Sequence, residues 1–422
     1  MNKRLKNFSH ALIYSTLIGI SVGLIAILFN YIVIKSVQYV NQFLHFEILY
    51  IILPIIAAIL TWGFYTQYLK YNHSGLGVVQ VLIELEFIKT FLMKPLSIIV
   101  NLMGAIVSLV FGLSVGRFGP IVHLGASVGS NVAYYLNLEE EDIRMLVGCG
   151  AAAAITAVFK IPFFATVFVL EVLFKKHFYD LLTPIIIASM SSFIISNYFS
   201  NYSIVNVQIP KTIFLNINDY LSLILFGLIA GVISILMIEL IERFSSYFNR
   251  YQNKLVKYSF AASIVGVISY FIPLNFEIHK NTTFRVLSGE FGLTILIAIL
   301  LAKLITTGLT LGSGFIGGNF YPGVTIGATI GMIYNSLLDS ININLSTNGL
   351  YGVLGVGAVI ASSFNAPISG IVLILEITKS FDLIIPSILV VAFSVSLVYF
   401  LYQKDIFTKQ YNKIYEEMQK AS

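Results

Sequence analysis

Apolar residues run along this chain in long blocks, and the polar positions between them are few. The blocks are Ala11–Ile34, Tyr50–Tyr65, Pro95–Leu113, Met145–Leu173, Leu182–Tyr198, Leu221–Ile241, Phe260–Ile272, Leu293–Leu311, Val353–Leu375 and Leu383–Leu401. A bilayer-crossing helix needs about 20 apolar residues, and several of these blocks are shorter or cut by glycine. Short, interrupted segments predict an all-α membrane protein with discontinuous helices, the pattern of transporters. The first block is too long for a cleaved signal peptide, and no small-residue cleavage site follows it before Lys35.

Composition strengthens the reading. Hydrophobic residues make up 57% of the chain and charged residues 11%, with a mean hydropathy of +0.88; a soluble domain carries about a quarter charged residues. The net charge of +5 does not point to nucleic acid, because the basic residues lie at chain ends and in loops. They are Lys3, Arg4 and Lys6, then Lys175 and Lys176, then Arg243 to Lys257, then Lys404 to Lys420. The positive-inside tendency predicts a multi-pass cell-membrane protein with both termini in the cytoplasm, with Arg243–Lys257 compatible with either side. One cysteine, Cys149, excludes an intrachain disulfide and a cysteine-based metal cluster. After Phe407 the sequence has fifteen residues, 408–422, expected to be a short cytoplasmic tail without a regulatory domain.

The chain repeats itself. GRFGPIVHLGASVG (Gly116–Gly129) matches GNFYPGVTIGATIG (Gly318–Gly331) at an offset of 202 residues. FKIPFFATVFVLEV (Phe159–Val172) matches FNAPISGIVLILEI (Phe364–Ile377) at an offset of 205, each with a glutamate nine residues after its proline. Two matches at nearly one offset predict two homologous halves, about 12–200 and 215–407, within a single transmembrane domain spanning 1–422. An inverted arrangement would bring both glycine-proline turns near the midplane.

Non-helical backbone at membrane depth must be buried in protein or line a watery cavity. Each turn has glycines for a sharp, close-packed path and a proline suited to the first turn of the next helix. The N–H groups and positive dipole end of that helix then face one spot. Helix starts converging from both halves form an anion site without a full cationic charge, so the ion can leave again. The plainer reading of such turns is helix kinking and packing. A third turn, at His73-Ser74-Gly75-Leu76-Gly77, offers a hydroxyl and adjacent amides, although serine is also a common N-cap.

With these motifs in this order, the chain resembles the CLC family of chloride channels and proton-coupled chloride transporters, of the prokaryotic type. The family marks GSGIP, GREGP or GKEGP, and GxFxP stand here as His73–Gly77, Gly116-Arg117-Phe118-Gly119-Pro120 and Gly318-Asn319-Phe320-Tyr321-Pro322. A later tyrosine of the family falls on Phe407. The resemblance implies a homodimer with one pore per subunit, no cofactor, and chloride or a similar anion as cargo. It implies that Ser74 and Gly75, the amides of Asn319 and Phe320, and the position of Phe407 surround the anion. Phe407 has no hydroxyl, which loosens the expected site. His73 replaces a glycine of the usual motif and reads most simply as an interfacial histidine; Gly77 replaces its proline.

Two departures bear on mechanism. The gating glutamate of the family falls on Phe118, and its internal proton-handling glutamate falls on Val172, beside Glu171. Phenylalanine and valine carry no proton, and ionisable residues in a membrane core are usually functional. The expectation is channel-like anion conduction uncoupled from protons, Phe118 either swinging aside or plugging the pore. His123 and Glu171 are the remaining titratable candidates for a substitute proton path, Glu171 otherwise accepting hydrogen bonds near a helix end. Arg117 is expected to fix its turn through carbonyls or a carboxylate; Lys160 either charges a pore mouth or snorkels to the interface. The rival reading is a coupled antiporter with a non-standard proton path, or one for nitrate, fluoride or bicarbonate; a non-conducting paralogue is another. No H-E-x-x-H, G-x-S-x-G, Walker loop or Cys/His metal spacing occurs, so an enzyme is not expected.

Overall fold

The computed structural model describes residues 2–68, 77–87, 93, 95–175, 178–199, 216–276, 280–341, 350–403 and 406–407. Among them the secondary structure is helical, with one isolated antiparallel bridge. The first half consists of α1 (Asn2–Asn41), α2 (Leu49–Tyr68), α3 (Gly77–Phe87), α4 (Pro95–Val110), α5 (Phe118–Tyr135), α6 (Glu140–Phe159), α7 (Pro162–Phe168) and α8 (Phe178–Phe199). The second half has α9 (Ile217–Phe248), α10 (Lys254–Phe271), α11 (Thr282–Leu287), α12 (Leu293–Ser313), α13 (Phe320–Ser340), α14 (Tyr351–Phe364), α15 (Pro367–Thr378) and α16 (Ile384–Tyr402). Among the described residues, six helices are long and apolar enough to cross a membrane, and several apolar helices are shorter.

The two halves repeat their packing. α5 lies on α6 as α13 lies on α14, and α3 stands against α5 as α11 stands against α13. The helix pairs close on glycine. A Cβ at Gly125 would strike the carbonyl of Gly150, and one at Gly129 that of Leu146. In the second half, Gly327 meets Gly355 and Gly331 meets Tyr351 in the same way. With no hydrophobic drive between helices in lipid, such backbone-to-backbone approach supplies the packing energy.

Two apolar blocks that read as continuous in sequence are each broken into two helices. Met145–Leu173 is divided between α6 and α7, where Lys160 adopts φ 60° and Pro162 starts the next helix. Val353–Leu375 is divided between α14 and α15 at Asn365, φ 52°, and Pro367. A left-handed residue ends a helix and proline opens one without losing a donor; hydropathy alone does not register either event. Beyond α7 the helix widens into a π segment, Val169–Leu173, which holds both Glu171 and Val172.

Candidate functional site

The two glycine-proline turns touch. Gly116 N–H donates to the carbonyl of Gly318 and Gly318 N–H donates to that of Gly116, both at 2.7 Å. This reciprocal pair joins positions 202 residues apart and brings the starts of α5 and α13 side by side. The first amides of each helix have no intrahelical partner, so two positive helix ends meet at one place. Glycine is required here: a Cβ on Gly318 would come 2.8 Å from the amide nitrogen of Gly119, and one on Gly116 2.8 Å from Cβ of Tyr321.

The start of α3 joins the same cluster. A Cβ on Gly77 would strike the carbonyl of Gly119. Gly77 is the position where the resembling motif carries proline, and any residue with a Cβ would be excluded by this contact. His73, Ser74 and Gly75 lie outside the described residues; three residues after Ser74 the chain sits against the α5 turn, which itself sits against Gly318.

Side chains fix the first turn. Arg117, buried at the N-cap of α5, donates from Nη1 to Oδ1 of Asn30 on α1, and its guanidinium lies 5.6 Å from the centre of the Phe159 ring. The turn is thus tied to α1 by an amide carbonyl and to α6 by an aromatic face. Pro120 is buried in the first turn of α5, as Pro322 is in α13. Asn319, the N-cap of α13, is buried, and its side-chain nitrogen has no hydrogen-bond partner.

Phe118 does not swing outward. It is 1% exposed and stacks on Phe320 with ring centroids 4.3 Å apart and planes at 14°. Phe320 lies parallel to Phe364 at 6.4 Å, and Phe364 stacks on Phe407 at 4.7 Å. One column of four rings therefore links the gate position, a candidate amide donor and the position of the missing tyrosine. Phe168 meets Phe118 edge-on at 4.9 Å, and Phe159 and Phe164 complete the packing. Sequence reading singled out three of these rings separately; their union was signalled by Phe159 and Phe364 matching in the repeat.

The remaining carboxylates near the repeat are used structurally. Glu171 accepts from the amides of Ile368 and Ser369 at 3.0 and 2.8 Å and from the Ser369 hydroxyl at 2.6 Å. Glu376 reciprocates, accepting from the amides of Phe163 and Phe164 at 3.0 and 2.7 Å. Each glutamate caps the opposite half's short helix, where a carboxylate meets unpaired N–H groups and the positive dipole end. Val172 is buried without a proton to offer. Lys160 donates to Oδ1 of Asn197 at 2.8 Å. His123 does not face an open cavity; its ring turns to Glu84 on α3, 3.8 Å away.

Known proteins share this fold. A family model described as voltage gated chloride channel matches residues 56–398. The putative chloride channel protein ClcB-like of Ralstonia nicotianae is 30% identical over 288 residues, 67% of either chain. The H(+)/Cl(-) exchange transporter ClcA of Yersinia pestis is 29% identical over 307 residues, which cover 68% of this chain and 62% of that relative, less than two thirds of its length. Among solved structures, a slow cyanobacterial Cl-/H+ antiporter has the same fold with a TM-score of 0.83 at 20% identity, covering 96% of this chain and 97% of the other. A CLC-type fluoride/proton antiporter matches with a TM-score of 0.78 at 24% identity, covering 96% and 98%. The chain belongs to the voltage-gated chloride channel (CLC) family.

Proposed function

We propose that this CLC-family protein passes chloride or a similar small anion passively across the cell membrane, without stoichiometric proton exchange, and that Phe118 is its gate. The observation that carries the reading is the Gly116–Gly318 backbone pair, which gathers two helix starts around one spot, with a ring in place of a carboxylate at position 118. In this reading Ser74, Gly75 and the amides of Asn319 and Phe320 hold the anion, with Phe407 beside it. Gly116, Arg117, Gly119 and Pro120 shape the turn. Stacked rings form a hydrophobic constriction that closes the path, and the ion advances when Phe118 leaves Phe320. Ring edges carry positive partial charge, so a displaced Phe118 can line the path without repelling the ion.

Val172 has no titratable group, and Glu171 is held by three donors; both features support uncoupled movement. The protein acts without a cofactor and catalyses no covalent step. It works as a homodimer, for which α7 and α15 offer Phe163 and Ile368, 64% and 51% exposed, on their outer surface. Both termini lie in the cytoplasm.

The test is anion efflux from proteoliposomes at clamped voltage with external pH recorded. Conduction predicts chloride efflux without a matching pH change. A pH change that follows the chloride gradient establishes antiport instead, and an absence of efflux establishes a plugged protein.

A further inference from the structure

His123 and Glu84 form a contact that conduction does not use. Both are buried, on α5 and α3. Nε2 of His123 and Oε2 of Glu84 face each other at 3.8 Å, and neither atom has a hydrogen-bond partner. That separation is about 1 Å too long for a hydrogen bond. Buried polar atoms are ordinarily satisfied, and these two are aimed at one another across a gap neither bridges. The other carboxylate oxygen is anchored: Gln80 Nε2 donates to Oε1 of Glu84 at 3.4 Å, and Asn101 Nδ2 donates to Oε1 of Gln80 at 3.0 Å. Gln80 and Asn101 are half-buried, so a polar track runs from the outer wall to the carboxylate.

The second half supplies an internal comparison. Thr325 stands 202 residues after His123, and α11 meets α13 as α3 meets α5. There the facing pair is Thr283 and Thr325, whose hydroxyls bond at 2.7 Å. The same interhelical position is thus hydrogen-bonded and non-titratable in one half, and unbonded and ionisable in the other.

We propose that Glu84 and His123 form a proton-binding site in the wall of the anion pathway. One proton from water, placed between carboxylate oxygen and ring nitrogen, satisfies both atoms, and a shift of about 1 Å brings them within bonding distance. Carboxylate and neutral imidazole together carry one negative charge; the added proton brings the pair to zero. His123 is five residues past Phe118, roughly 7.5 Å along the helix, so the lost charge is felt at the gate through a low-dielectric wall. The effect on flux rests on the conduction reading; the site itself does not.

Other described groups around α5 leave the pair alone. α4 brings no titratable side chain. α1 brings Asn30, which is held by Arg117, and Lys35, which lies exposed over Tyr31. α6 brings Cys149, whose thiol donates to Ser15, and a charged first turn in which Arg144 pairs with Glu140. α13 brings Tyr321, against Gly116.

The test is infrared difference spectroscopy of the full chain in lipid, with pH stepped between alkaline and acid. The proposal predicts bands of the shared proton, at the carboxyl or at the imidazolium ring, that grow on acidification, disappear in Glu84→Gln and are altered in His123→Gln. No band removed by Glu84→Gln, or a band untouched by His123→Gln, overturns it. In parallel, chloride efflux should rise several-fold on acidification, and Glu84→Thr combined with His123→Thr, copying the second half's hydroxyl pair, should give efflux that no longer follows pH. A double variant that folds and keeps the wild-type pH profile also overturns the proposal. If the wild-type protein passes no anion at any pH, the conduction reading fails and the infrared band alone decides this one.

Discussion

Phe118 and Phe320 lie ring on ring, 4.3 Å apart, at matching positions of the two repeats. Each residue begins a helix, α5 or α13, two residues after one of the glycines that hydrogen-bond to one another. The repeat that brings the two helix starts together therefore also stacks two rings beside them. Under the conduction reading the pair belongs to the core and to the path at once, and opening the path means unstacking it.

Replacing Phe118 by alanine removes the ring from this column. Truncating a buried phenylalanine costs about 3–5 kcal/mol of stability, so the variant should melt earlier in detergent. Chloride efflux should nevertheless rise by about an order of magnitude or more, because the constriction is gone. Proteoliposome efflux, together with size exclusion to confirm an intact fold, measures both. Efflux equal to wild type in a folded variant would show that the barrier lies elsewhere.

Phe118→Glu puts a carboxylate where the ring was. Placed in the Glu84→Thr and His123→Thr background, it isolates the gate from the proposed proton pair. An ionised glutamate carries the charge of the anion it displaces from the helix starts, and a protonated one does not. Efflux should fall as pH rises through the titration of that side chain and recover on acidification. A flat profile between pH 4 and 8, roughly the range around a carboxylate's ordinary value, would contradict the placement of the gate.

Much of this arrangement could be read from the residues. The matched glycine-proline turns predicted that the two turns come together, and Gly116 and Gly318 meet in a reciprocal backbone pair. Glycine pairs that seat α5 on α6 and α13 on α14 were present in the repeat, although their partners Gly150 and Gly355 lie in stretches without polar landmarks. Glu171 was legible as an acceptor near a helix end, but not that the helix belongs to the other half or that Glu376 returns the cap, because each bond joins residues about 200 or more apart; the repeated Phe-x-x-Pro and following glutamate were the visible trace. Asn30 as partner of Arg117 left no such trace, being a lone polar residue in an apolar helix. Hydropathy also merged α6 with α7 and α14 with α15, since a left-handed residue and a proline do not change the apolar average.

The crossed caps give a prediction of their own. Glu171→Gln and Glu376→Gln each keep shape and lose a charge-assisted acceptor that holds at least two donors. Hydrogen bonds to charged groups contribute about 1.5–3 kcal/mol, so each variant should lose roughly that much stability and unfold at a lower temperature. Glu171, which accepts from three donors, should lose at least as much as Glu376, which accepts from two. Under the conduction reading neither substitution creates or abolishes proton movement, which pH recording during efflux checks. Proton flux that vanishes in Glu171→Gln would reassign that residue from cap to carrier.

Backbone contact between helices should tolerate no added methyl groups. Gly125→Val and Gly327→Val both drive a side chain into the carbonyl of a facing glycine, and overpacking of this kind costs about 1–3 kcal/mol or more. Gly63 is the internal control: it lies inside α2 with nothing within 4 Å of an added Cβ. Gly63→Ala should leave stability equal or raise it by about 0.5–1 kcal/mol, since alanine orders more cheaply in a helix. Thermal unfolding monitored by fluorescence size exclusion separates the three variants.

Phe407→Tyr asks whether the site can accept one more donor. Phe407 is buried and stacks on Phe364 at 4.7 Å with planes at 22°, so a tyrosine in the same rotamer keeps the column and adds only a hydroxyl. If that position borders the anion, the hydroxyl donates to it, and a net hydrogen bond of about 0.5–1.5 kcal/mol tightens chloride binding by roughly two- to tenfold. The gain should be larger for chloride than for a bulky anion, because the added atom takes up space as well as donating. Calorimetric titration of wild type and variant with chloride, and with thiocyanate for contrast, measures it. Affinity for chloride unchanged in a stable Phe407→Tyr protein would place the ring outside the anion's reach and confine the site to the helix starts joined by Gly116 and Gly318.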